Sequence, residues 1–116
     1  GSLTQKYKPD MLEKICVLYS EMCNRLSNDE IKITRLQRQF FVNLRACIKQ
    51  ENFSISRKSD IEIKAAIKEI VNNHVVNTVS GEYLQVIQQG KQKLFVWAVR
   101  HKCVGLLYFI NKIGRL

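Results

Sequence analysis

The chain of 116 residues is poor in the residues that break or specialise a backbone. It has one proline, Pro9, and five glycines that never adjoin one another. Glycines placed singly at 81, 90, 105 and 114 cannot build a loop that cradles phosphate, and no G-x-x-x-x-G-K-[ST] run is present. There is no G-x-S-x-G nucleophile elbow and no H-E-x-x-H pair. Only two histidines occur, His74 and His101, and none of the four cysteines forms a C-x-x-C pair, so a structural zinc site has no support. Catalysis and bound cofactors are therefore not expected. The nearest approach to a nucleophile pair, His101 and Cys103, is two residues apart, and side chains so spaced on a helix point about 200° away from each other.

A run of about 20 apolar residues, the length needed to cross a bilayer, is also missing. The longest apolar stretch, Leu94 to Ile113, is interrupted by Arg100-His101-Lys102, so no membrane role is expected. Cys16 and Cys23 are seven apart on one predicted helix, about 10 Å along its axis, which is too far for a disulfide. Reduced, buried thiols in a nuclear or cytoplasmic protein are the simpler reading. Acidic residues are scarce and unevenly placed. Against 19 lysines and arginines there are 10 aspartates and glutamates, a net charge of +9, and no acidic side chain follows Glu82. Such a balance favours polyanionic partners, either nucleic acid or an acidic peptide.

What is present is helical periodicity. Residues 1–9 read as a tag scar (Gly1-Ser2) and a flexible lead-in, and residues 10–116 as a single domain cut from a longer protein. Asp10 with Glu13 forms a capping-box pattern ahead of Leu12, Ile15, Cys16, Tyr19, Met22, Cys23 and Leu26, which lie on one stripe of a helix over 10–26. Ile33, Leu36, Phe40, Leu44 and Cys47 give a second helix over 31–50. Ser59 with Glu62 caps a third over 59–73, carried by Ile63, Ala66, Ile67 and Ile70. The β-branched run 74–79 is ambiguous between an extended connector and a helical turn. A fourth helix starts at Ser80, its cap, and places Tyr83, Val86, Ile87, Gly90, Leu94, Trp97, Ala98 and His101 on one face. Gly90 within that face marks a close crossing or kink, with a break there as the alternative. A last segment, Val104 to Ile113, follows a bend at Lys102-Cys103, and Gly114 stops it. The fold class expected is all-α, a compact bundle of four to five helices.

Two features exceed what such a bundle needs. Phe95, Val99, Val104 and Tyr108 lie off the predicted core faces of the C-terminal segments, within a rim of Lys91, Lys93, Arg100 and Lys102. Phe95, Val99, Arg100, Val104 and Tyr108 are thus the candidate partner-binding set, fitting a helical or acidic protein segment or a second copy of the chain. Separately, Arg35, Arg38, Arg45 and Lys49 fall on the side of the second helix opposite its apolar stripe. With Arg57 and Lys58 they form the alternative site, a phosphate-contacting ridge for nucleic acid, although most such stripes are simply solvated faces. The functional expectation is a non-catalytic protein-interaction domain, with nucleic-acid binding as the alternative.

Overall fold

A computed structural model describes residues 7–26, 29–52, 58–87 and 90–113. It contains α1 (Met11–Leu26), α2 (Glu30–Lys49), α3 (Asp60–Val71), α4 (His74–Val86), α5 (Lys91–Arg100) and α6 (Val104–Ile113), with a 3-10 turn at Gln50–Asn52 after α2. The described residues form an all-helical bundle of six helices rather than four to five. The main pairings are α1 on α2, α4 on α5 and α3 on α6, with α2 also touching α3 and α4.

The first three helices lie where their apolar periodicity places them. The α1 stripe buries Ile15, Cys16 and Tyr19, and Asp10 pairs with Lys14 at 3.2 Å across the opening turn. At α2 the cap is Asp29, whose carboxylate accepts from the Lys32 amide at 3.1 Å. The helix buries Gln37, Phe40, Phe41, Leu44, Cys47 and Ile48. Ser59 and Glu62 form the reciprocal capping box of α3. The Ser59 backbone amide and then its hydroxyl donate to Glu62, which holds that carboxyl below the usual range.

Residues 7–9, expected within a flexible lead-in, are docked instead. The Lys8 amide donates to Gln50 Oε1 at 3.0 Å, and Gln50 Nε2 donates back to the Lys8 carbonyl at 2.9 Å. Beside them Lys58 donates to the Tyr7 phenol at 2.8 Å and pairs with the almost fully buried Glu51. Gln50 and Glu51 are buried polar groups with partners, as burial requires.

The second half departs from the simplest sequence reading. The ambiguous stretch His74–Val79 is the first half of α4, because Asn73 caps it, its side-chain oxygen accepting from Val75 N at 2.9 Å and Val76 N at 3.1 Å. Val76 and Val79 are fully buried, so packing outweighs the weak helix preference of β-branched residues. Ser80 is therefore no cap. It lies inside α4, fully buried, and donates to the Asn77 carbonyl at 3.0 Å.

The expected single helix through Gly90 is two helices. Ile87 is extended, and Gly90 has φ +100°, a conformation that essentially only glycine adopts. The chain turns there and α5 starts in a new phase. Its buried face is Phe95, Val96, Ala98 and Val99, whereas Leu94 and Trp97 are 46% and 43% exposed. A face computed across an unbroken helix is thus rotated by the break.

α5 ends in a Schellman arrangement. Cys103 N donates to the Ala98 carbonyl at 2.9 Å and Lys102 N to that of Val99 at 3.2 Å, with Lys102 itself left-handed at φ 55°. That position ordinarily carries glycine. Lys102→Gly is expected to raise unfolding stability by about 1 kcal/mol, and Gly90→Ala, whose added Cβ would meet nothing within 4 Å, to lower it by about 1–3 kcal/mol through the backbone alone. Urea denaturation of both variants measures the two opposite signs.

Candidate functional site

Phe95 and Val99 stand in the core at 2% and 0% exposure, a correction to the expectation that they remain over for a partner. The new phase of α5 after Gly90 is the physical cause. Val104 and Tyr108 are partly buried and pack against the core. The Tyr108 ring has two cations near it, with Lys64 Nζ 4.8 Å and Lys112 Nζ 5.7 Å from its centroid. Arg100 is exposed, and its guanidinium rests across Gly81, where a Cβ would stand 3.3 Å from Nε. Of the five residues singled out for a partner, only Arg100 is open to solvent.

Their neighbours carry exposed apolar side chains, as do Val17, Leu18, Ile31, Val42, Ile61 and Val86 elsewhere in the bundle. On α5 these neighbours are Leu94 and Trp97, and the Trp97 ring lies 4.8 Å from that of His101. On the adjoining α6 they are Phe109 and Ile113, 59% and 48% exposed and one turn apart. Lys93, Arg100, Lys102 and Lys112 are exposed around them. Helical spacing did relate Leu94 to Trp97. What the spacing could not supply was which of two apolar faces of α5 turns inward.

The six residues of the arginine ridge are also separated by the fold. Arg35, Arg38 and Lys49 are exposed on α2. Lys58 is engaged by Glu51 and Tyr7. Partial desolvation would lower its ammonium, but those two partners outweigh the loss and raise it. Arg57 lies outside the described residues. Arg45 leaves the ridge and folds onto the core, its guanidinium carbon 5.1 Å from the centroid of the Phe95 ring.

Arg45 forms one wall of a cleft of about 480 Å³ between α2, α4 and the start of α5. Thr34, Arg38, Val42, Arg45, Tyr83, Val86, Ile87 and Gln92 line it. Arg45 Nη2 donates to Gln92 Oε1 at 2.7 Å, whereas Arg45 Nε and Gln92 Nε2 are buried and have no hydrogen-bond acceptor among the described residues. Burial pulls the Arg45 guanidinium below its ordinary range, and burial also raises the Tyr83 phenol against the opposing charge of Arg38. Sequence inspection did not single out Gln92, which no local pattern marks. It matters only because the chain turn at Gly90 brings it opposite Arg45.

Among the described residues, nucleophilic and metal-binding groups are not assembled. His101 lies tilted at 43° against Trp97, and Cys103 Sγ donates to the His101 carbonyl at 3.8 Å rather than to its ring. Among the described residues no group of three or more His, Cys, Asp or Glu side chains could hold a metal ion, and no helix is long and apolar enough to cross a membrane. All four cysteines are free thiols. No family model, curated protein or solved structure matches the chain.

The thiols have a measurable consequence. Burial first, then the charge of Glu51 and the neighbouring Cys16, push Cys47 up to about 12, and burial raises Cys16 as well. A folded-state value above the unfolded one of about 8.5 means a contribution to stability that is complete below that pH. It is lost progressively as pH rises towards 12. Stability measured by urea denaturation is expected to fall between about pH 9 and 11, and Cys47→Ala is expected to flatten that decline.

Proposed function

We propose that this chain is a non-catalytic helical interaction domain that docks an amphipathic, acidic helical segment on the outer surface of α5 and α6. The observation that carries the reading is the 43% exposure of Trp97, the chain's only tryptophan, beside Leu94. Large apolar side chains are ordinarily withdrawn from water in a bundle, and four of them lie outward on two adjoining helices. Tryptophan is also the side chain best suited to anchor a protein contact, since it offers a large rigid surface and one donor.

Charge supports the chemistry of the partner. Lys93, Arg100, Lys102 and Lys112 flank the apolar side chains, and after Glu82 the chain has no acidic side chain to offset them. An apolar stripe edged by carboxylates would satisfy both features, its charges steering the approach and its side chains providing the buried area. Self-association through the same surface would leave like charges opposed, so it is the less favoured use. Nucleic-acid binding, the other reading, rests on the three exposed ridge residues Arg35, Arg38 and Lys49, a smaller set than α2 offers in sequence.

Trp97 supplies its own reporter. On titration with a synthetic amphipathic helix bearing Leu on one face and Glu on its flanks, its fluorescence is expected to shift blue and to saturate. Leu94→Asp combined with Phe109→Asp is expected to abolish the shift while changing stability by no more than about 0.5 kcal/mol per site, as exposed positions allow. A monomer by light scattering that gives no saturable shift with such a peptide would remove the proposal. A dimer dissociated by the same double variant would replace it with self-association.

A further inference from the structure

Arg45 presents an unsolved electrostatic problem. A guanidinium drawn partly out of water costs free energy unless a counter-charge or a full set of acceptors compensates it. Among the described residues Arg45 has one acceptor, Gln92 Oε1, and its Nε–H has none. The Gln92 amide adds a second orphaned donor, because its oxygen is committed to Arg45 while its nitrogen is buried without a partner. Turning that amide over would set nitrogen against nitrogen, so the orphan cannot be cured by a flip. None of the lining residues is acidic, and no carboxylate pairs with Arg38 or Arg45 among the described residues.

The rest of the cleft is built to the same sign. Arg38 stands two turns before Arg45 on α2, about 10 Å along the axis, and both side chains line the cleft. Tyr83 lines the same cleft, and the Arg38 charge opposes the upward pull of burial on its phenol. Two cations, a phenol and an amide thus come from three helices onto one concavity, with Val42 and Val86 as apolar wall. Convergent donors on a concave, partly apolar surface describe a ligand site rather than a solvated stripe.

We infer that this cleft between α2, α4 and α5 is a binding site for a phosphomonoester dianion, held by Arg38, Arg45, Tyr83 and Gln92. Two guanidinium charges match the charge of about −1.5 to −2 on a phosphomonoester near pH 7, and a carboxylate would leave one of them unbalanced. Arginine's planar fork suits phosphate oxygens, and Arg45 is already orientated by Phe95 and Gln92, so little ordering remains to be done on binding. The ester substituent, aromatic or aliphatic, lies against Val42 and Val86. The inference is independent of the α5–α6 docking surface, since the residues differ and the Trp97 readout does not enter the test.

Phenyl phosphate, inorganic phosphate, dimethyl phosphate and acetate are each titrated at constant ionic strength into ¹⁵N-labelled protein. The Arg45 Nε–H and the Gln92 side-chain amide are followed by NMR, and melting temperature is read in parallel. Phenyl phosphate is expected to give saturable shifts of both signals and a higher melting temperature, with inorganic phosphate next and dimethyl phosphate and acetate at least tenfold weaker. Arg38→Gln, an exposed substitution, is expected to weaken phenyl phosphate binding about tenfold with the fold intact. Arg45→Met, which keeps an unbranched side chain beside Phe95, is expected to remain folded yet gain no melting temperature from phosphate. Shifts that track ionic strength alone, equal binding of acetate or of the diester, or an undiminished phosphate response in both variants would each overturn the assignment.

Discussion

Phe41 is where the bundle is tied together. Its ring is wholly buried and stacks with Tyr83 of α4 at 5.6 Å, meets Phe95 of α5 edge-on at 6.2 Å, and touches Phe40 of its own helix at 5.3 Å. Phe40 in turn meets Tyr19 of α1 at 5.2 Å. Four helices are thereby joined through aromatic contacts that prefer stacked or edge-to-face geometry, which specifies orientation as well as proximity. Aliphatic packing around the rings, from Leu44, Ile67, Val76, Val96 and Leu107, fills the volume but constrains angle less. The position of Arg45 follows from the same stack. Phe95 is held by Phe41, and the guanidinium lies over the Phe95 ring.

Both surfaces of functional interest are set by one backbone event, the turn at Gly90. Were α4 and α5 continuous, Leu94 and Trp97 would follow Tyr83 into the core and Phe95 would face outward. The break exchanges those roles. It leaves Trp97 half in water, and it places Gln92 where it can accept from Arg45 across the mouth of the cleft. An α5 of only 10 residues, apolar on more than one side, has no intrinsic preference for which side is buried. The phase is chosen by the direction in which the chain re-enters the bundle.

The N-terminal lead-in shows the same dependence on distant partners. Tyr7 and Lys8 are polar and precede a proline, a composition that reads as unstructured. They are held because Gln50, Glu51 and Lys58, more than 40 residues away, offer complementary donors and acceptors. No local signal announces such an arrangement, and the buried Glu51 would be an uncompensated charge without Lys58.

The sequence by itself determined the helical class, the stripes of α1, α2 and α3, the Ser59–Glu62 box and the cationic character of the C-terminal third. Each of these is a property of neighbours within one or two turns, where 3.6-residue periodicity and capping chemistry act directly. The tertiary structure decided the helical state of His74–Val79, the separation of α4 from α5, the inward face of α5, and the removal of Arg45 and Lys58 from a ridge of apparent equals. Those outcomes depend on contacts between residues far apart in the chain, where burial outweighs local preference, and on the break between α4 and α5, where Ile87 is extended and Gly90 has positive φ.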